Sequence, residues 1–194
     1  MRKLLLASSS PYRQQLLQKL QLDFDCCTPD VDESRLPNES AYDMVERLAI
    51  SKARKLTEQY PQHLIIGSDQ VACFGQQILG KPLGFEHAFT QLSQCRGHEV
   101  VFLTGLCLHN AATGQTQSSV ESYKVKFKNL TDQQITHYLK REEPYDCAGS
   151  FKVEGLGISL FDALEGEDPN SLIGLPLIAL IRMLNKEGID PLLG

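Results

Sequence analysis

What this sequence of 194 residues lacks narrows the field first. No segment approaches the roughly 20 apolar residues of a membrane helix, so no membrane is expected as a partner. The five histidines, His63, His87, His98, His109 and His137, show no HxH or HxxxH spacing, which argues against a zinc site. The six cysteines, Cys26, Cys27, Cys73, Cys95, Cys107 and Cys147, form no CxxC pair, and adjacent Cys26 and Cys27 cannot easily bond one another. Neither a GxSxG elbow nor a dinucleotide-binding GxGxxG is present. No internal repeat, low-complexity segment or composition break marks a linker.

Positive charge is also short, with a net charge of −5. Affinity for DNA or RNA rests largely on Lys and Arg meeting phosphates, so no nucleic acid is expected as a partner. A small anionic substrate stays open, because it needs only a few cations converging on one pocket. At 42% hydrophobic and 22% charged residues, the chain is neither disordered nor unusual for a globular protein. Its length suits one α/β domain over residues 1–194, or two closely packed lobes.

The start, Met1 to Ala7, mimics an export signal. Its apolar run stops at Ala7 and Ser8-Ser9-Ser10 follow, too short for an apolar region of roughly 7–15 residues. It reads as a first buried strand over Lys3–Ala7. Thiols in a reducing compartment then point to the cytoplasm.

Further elements follow from spacing. Ser10 is placed to cap a helix with Pro11 at its first position. Residues 27–39 carry two prolines and several acids and read as a loop. Met44, Val45, Leu48, Ala49, Ala53 and Leu56 give a helix over 41–60. Leu64–Gly67 reads as a buried strand leading into Ser68-Asp69-Gln70, with strand-like Val71–Phe74 after it and a turn near Gly75. Residues 86–95 read as a helix, and 100–108 with 116–127 as an antiparallel pair. Thr131 with Gln134 three residues on forms a capping box for another helix. Residues 145–170 are rich in glycine and acids and are expected to line a site, and a last helix runs over 175–186. The mixture predicts an α/β fold with a mixed sheet and flanking helices.

Several residues bear on chemistry. Gly75 to Lys81 matches the phosphate-loop spacing GxxxxGK, but Pro82 replaces the Ser or Thr that would hold Mg²⁺, so the glycines are read as bracketing a turn. Lys81 can still reach a phosphate from another geometry. Asp69 sits between two apolar runs, where a carboxylate is costly to bury unless it is paired, bound to metal or exposed at a site. A turn aspartate capping its own backbone explains it equally well. Asp30, Asp32 and Glu33 form an acidic group in a loop, with oxygens suited to Mg²⁺ or Mn²⁺, though such groups are ordinarily just solvated. Arg13 and Lys52 lie on helices with apolar faces, and each alone reads as a surface cation.

Taken in order, several segments resemble the Maf family of nucleotide pyrophosphatases. They are Leu6-Ala7-Ser8-Ser9-Ser10-Pro11-Tyr12-Arg13, Gly67-Ser68-Asp69-Gln70, Gly80-Lys81-Pro82, Thr104-Gly105, Cys147-Ala148-Gly149-Ser150-Phe151 and Ile173-Gly174-Leu175-Pro176-Leu177. The resemblance implies a fold similar to the inosine-triphosphate pyrophosphatases, with two lobes around a cleft. It implies hydrolysis of a nucleoside triphosphate to the monophosphate and diphosphate with a divalent metal such as Mg²⁺ or Mn²⁺. It assigns Asp69 as catalytic carboxylate and metal ligand, Glu33 as a second metal-side acid, and Ser8, Arg13, Lys52 and Lys81 as phosphate contacts. It also implies a homodimer.

The sequence departs from the commoner pattern at Tyr12, where a second arginine is usual, at Gln70, where threonine is usual, and at Glu154, where glutamine is usual. This combination resembles the branch acting on 7-methyl-GTP, with Tyr12, Gln70 and Glu154 as the specificity residues. The branch acting on dTTP and UTP is the alternative. Because the family is linked with septum formation, a regulatory binding protein is a third reading.

Overall fold

The computed structural model describes residues 3–193; Met1, Arg2 and Gly194, and with them the start of the signal-like run, lie outside it. In chain order the elements are β1 (Leu4–Leu6), α1 (Pro11–Gln18), β2 (Phe24–Cys26), α2 (Ala41–Lys55), β3 (Leu64–Phe74), β4 (Gln77–Leu79), α3 (Phe85–Cys95), β5 (Glu99–Asn110), β6 (Thr116–Phe127), α4 (Asp132–Glu142), β7 (Phe161–Glu165), α5 (Pro169–Ile173) and α6 (Leu177–Lys186). The sheet is mixed, in the order β2-β1-β3-β5-β6-β7, with β4 paired to β3 off that path. The expected mixed α/β class is what the chain adopts. It divides into two compact units: residues 1–69, 104–121 and 170–194, and residues 70–103 and 122–169.

In the first unit β1 is parallel to both β2 and β3, with Leu4, Leu5 and Leu6 opposite Leu64, Ile65 and Ile66. Parallel strands are covered on both faces, which is why these runs are apolar without alternation. Leu4, Leu6, Leu64 and Ile66 pack with Leu16 and Leu17 of α1 and with Leu180, Met183 and Leu184 of α6. Leu5, Ala7 and Ile65 point the other way, onto Ala49 and Ala53 of α2 and Leu56.

Two glycines set how closely α2 lies on the strands. A Cβ at Gly67 would come within 2.1 Å of the Ala49 carbonyl oxygen, and one at Gly105 within 2.1 Å of the Val45 carbonyl oxygen. No side chain fits there, so α2 rests backbone to backbone on β3 and β5.

In the second unit, Phe127, Phe151 and Phe161 meet edge to face at centroid distances of 4.7–5.8 Å, with Phe102 5.3 Å from Phe151. Such arrangements suit the ring quadrupole. Gly149 (φ 74°) and Ser150 (φ 64°) turn the chain so that Phe151 enters this cluster. Part of the glycine-rich segment expected to line a site thus forms core. The capping box at Thr131 and Gln134 is present.

Element boundaries shifted at several points. Helix α2 ends at Lys55 rather than near residue 60, because Leu56 and Thr57 bond three residues back and the Thr57 hydroxyl takes the Arg54 carbonyl. The last helix starts two residues late, since Pro176 is its cap. Strands β2, β4 and β7 are short edge or hairpin pieces, too brief to show a period.

Candidate active site

The parallel strands β1 and β2 end side by side, and the chain carries polar side chains just past those ends. After β1 come Ser8 and the Ser10 cap of α1, whose hydroxyl accepts the Arg13 N–H at 3.4 Å. Past β2 lies the loop with Glu33. Strand β3 outruns β1: the last bond between them, Ala7 N–H to the Ile66 carbonyl, leaves Ser68 and Asp69 beyond its end. Ligands of open α/β sheets gather outside such ends.

Asp69 is not in a turn. It lies inside β3, an 11-residue strand running unbroken through Ser68-Asp69-Gln70, so the turn-capping explanation fails. Strand alternation puts Ile65, Gly67 and Asp69 on the α2 face and Ser68 on the opposite one. Lys52 stands one helical turn after Ala49, whose carbonyl lies against Gly67. The close packing at Gly67 therefore brings Lys52 onto Asp69. Its Nζ donates to Asp69 Oδ1 at 2.6 Å and lies 2.7 Å from Glu33 Oε1.

Lys52 is not the surface cation that it resembles in isolation, being only 7% exposed. The sequence held a signal for this: position 52 falls in the apolar stripe of Val45, Leu48, Ala49 and Ala53, all buried. Burying an ammonium costs several kcal/mol unless it is well paired. Here it has two carboxylates.

Asp69 is also 7% exposed, and burial raises its pKa above the ordinary Asp value. Lys52, by charge and hydrogen bond, and Arg13, by charge, pull the other way, while Glu33 adds to the rise. Arg13 is lowered by burial and held charged by Asp69 and Glu33. Its Nε donates to the Gly174 carbonyl at 2.9 Å, which also accepts the buried Ser68 hydroxyl at 2.8 Å. Thr104 ties the same segment through the Ser171 carbonyl at 2.8 Å. Ser68, Thr104 and Arg13 thus all bond to backbone carbonyls of the 171–174 segment.

Of the residues singled out in the sequence, the first unit joins Arg13, Glu33, Lys52 and Asp69 in one electrostatic group, with buried Ser8 at the adjoining strand end. Ser8 accepts the Ser10 N–H at 3.1 Å. Tyr12 is half-buried on α1. Asp30 and Asp32 are exposed, and Asp32 instead accepts the Ser34 N–H at 2.9 Å. In the second unit, Gln70 is half-buried on β3, Lys81 is exposed just after β4, and Glu154 is exposed in a turn. The GxxxxGK spacing is no phosphate loop. Phe74 pairs with Gln77 across a two-residue hairpin whose first position, Gly75, has φ 58°.

Asp69 and Glu33 both reach one ammonium, so their carboxylate oxygens lie close together, with Lys52 Nζ between them. Among the described residues no group of three His, Cys, Asp or Glu side chains could hold a metal. Two carboxylates fit an ion such as Mg²⁺, which keeps water or substrate phosphate oxygens in its other positions. All six cysteines are thiols. No helix among the described residues is long and apolar enough to cross a membrane.

A family model described as Maf-like protein matches residues 3–187. A protein of Pseudomonas syringae pv. syringae (strain B728a), named 7-methyl-GTP pyrophosphatase, is 56% identical over 190 residues, covering 98% of this chain and 99% of its own. A protein of Pseudomonas savastanoi pv. phaseolicola (strain 1448A / Race 6) carries the same name at 56% identity and the same coverage. Among solved structures, a HAM1 protein from Coxiella burnetii aligns at TM-score 0.48 and 13% identity, over 67% of this chain and 75% of that one.

Proposed function

The chain belongs to the Maf-like protein family, and from that premise we propose that it hydrolyses 7-methyl-GTP to 7-methyl-GMP and diphosphate. One observation carries the choice of substrate: 56% identity over 190 residues to relatives named for that activity. The geometry supplies the chemistry. Water attacks and the anhydride between the α- and β-phosphates breaks, with negative charge growing on the phosphate oxygens. Catalysis of such a step is mostly positioning and charge stabilisation.

Asp69 takes the proton of the attacking water. Burial raises its basicity, which improves a general base working near neutral pH. Lys52 and Arg13 provide fixed positive charge beside it, and Ser8 and Lys81 add phosphate contacts. Asp69 and Glu33 would hold a divalent cation such as Mg²⁺ or Mn²⁺. When bound, it supplies further charge against the phosphate oxygens and lowers the pKa of water.

Selection of the base falls to Tyr12, Gln70 and Glu154. Methylation at N7 leaves guanine cationic, with donors at N1 and N2. An aromatic face such as Tyr12 attracts the cation, worth about 0.5–2 kcal/mol. A carboxylate such as Glu154 accepts from the donors, worth roughly 1.5–3 kcal/mol. A homodimer in the cytoplasm completes the proposal, and six thiols without a disulfide fit a reducing compartment.

The test is diphosphate release from 7-methyl-GTP, GTP, dTTP and UTP side by side. The methylated nucleotide is expected to give the highest kcat/KM. Preference for dTTP or UTP would move the chain to the other branch, and no turnover of any nucleotide would leave the regulatory binding role.

A further inference from the structure

The loop that carries Glu33 is fixed by a network that the proposed reaction does not use. Leu36-Pro37-Asn38-Glu39 makes a tight turn, with Asn38 at φ 59° and the Glu39 N–H on the Leu36 carbonyl at 3.2 Å. Proline then asparagine is the pattern of a type II turn. The Glu39 carboxylate folds back and accepts the Leu36 N–H at 3.0 Å. It is also gripped by both Nε and Nη2 of Arg47 on α2, and its side chain is only 7% exposed. The same Nη2 donates to the Ser34 carbonyl at 3.1 Å, the residue next to Glu33. Arg35 adds a bond from Nε to the Glu39 carbonyl at 2.8 Å.

Glu33 itself is 61% exposed on its side chain, so no packing holds it. Lys52 is buried, but the Glu33 end of the pair stands in water, which weakens the attraction while the cost of ordering the Glu33 side chain remains. Something else must keep Glu33 beside Lys52. Arg47 does so from the helix that carries Lys52: its fork fixes one end of the loop at Glu39 and the other at Ser34. We propose that the Arg47–Glu39 pair is a positioning clamp that holds Glu33 in register with Lys52 and Asp69. Arg47 and Glu39 do not touch the reacting atoms; they act through Glu33. The inference rests on the reading of Glu33 as a metal-side acid.

The experiment uses the full chain, Mn²⁺ as probe, and three variants: Arg47→Gln, Glu39→Gln and the double change. Mn²⁺ binding is measured by calorimetry without nucleotide, and amide exchange is followed at Ser34, Leu36 and Glu39. Groups that orient a metal ligand typically change metal affinity by about 10–100-fold. Each single variant is expected to weaken Mn²⁺ binding by that order and to speed exchange in the loop. The double variant should be no worse than the worse single, because one clamp is lost either way. Arg47→Lys should restore little, since lysine lacks the two-pronged fork. Arg96→Gln, which breaks the comparable Arg96–Asp132 pair, should leave Mn²⁺ binding unchanged. Should Arg47→Gln fail to fold, Glu39→Gln decides, since it is nearly isosteric and leaves Arg47 in place. Unchanged Mn²⁺ affinity in Glu39→Gln, or effects that add in the double variant, overturns the proposal. So does a wild-type chain that binds no Mn²⁺. A wild-type chain that binds Mn²⁺ yet releases no diphosphate refutes the functional reading and leaves the clamp standing.

Discussion

Lys52 Nζ lies 2.6 Å from Asp69 Oδ1 and 2.7 Å from Glu33 Oε1. The two carboxylates differ sharply in setting: the Asp69 side chain is 11% exposed and that of Glu33 61%. Asp69 is thus shielded from bulk water, while Glu33 is open to it.

Asp69→Asn keeps the size of the side chain and removes the proton acceptor. It should lower kcat by about 10²–10⁴-fold while leaving much of the nucleotide binding. A variant that turns over at nearly the wild-type rate under saturating metal would remove Asp69 from the mechanism.

Asp69 also predicts a pH dependence of opposite sign to the usual aspartate. Its native pKa is raised, so between the ordinary Asp value and the raised one the folded chain holds more proton than the unfolded chain. Stability from this group therefore falls as pH rises through that window. Denaturant unfolding in EDTA should show wild type losing stability relative to Asp69→Asn over that range, and a constant difference above it. A difference that grows in favour of wild type would mean that Lys52 and Arg13 outweigh burial.

Removal of divalent ions with EDTA should abolish diphosphate release, and Mg²⁺ or Mn²⁺ should restore it. Glu33→Gln should raise the metal concentration for half-maximal rate, since a charged hard ligand is lost. An unchanged metal titration would reduce Glu33 to a partner of Lys52 only.

Gly67→Ala tests how Lys52 is delivered. The new Cβ would sit 2.1 Å from the Ala49 carbonyl oxygen, a contact that only movement of α2 or β3 relieves. Overpacking of this kind costs about 1–3 kcal/mol. The variant should show both a lower Tm and a lower kcat, because Lys52 moves with α2. A large fall in Tm with full kcat would separate the helix position from the chemistry.

Glu154→Gln addresses base choice. It should reduce kcat/KM for 7-methyl-GTP far more than for GTP, dTTP or UTP. Equal loss on every nucleotide, or an unchanged preference for the methylated one, would exclude Glu154 from selection.

Much of this protein was written locally. The apolar runs at Leu4–Ala7 and Leu64–Ile66 gave strands covered on both faces, Ser10 with Pro11 opened α1, and the Thr131 box opened α4, because each depends on neighbours a few residues apart. The family resemblance marked Ser8, Arg13, Lys52 and Asp69 without saying how they meet. The tertiary structure decided that Asp69 lies inside a strand, that Lys52 is buried, and that Asp30 and Asp32 stay apart from the group that Glu33 joins. It also gave Gly67 and Gly105 a purpose, which is to let α2 touch β3 and β5. Spacing along the chain reports which face of an element is apolar. How closely two elements approach depends on the atoms of both, and that approach sets the charge, burial and proton affinity of Asp69.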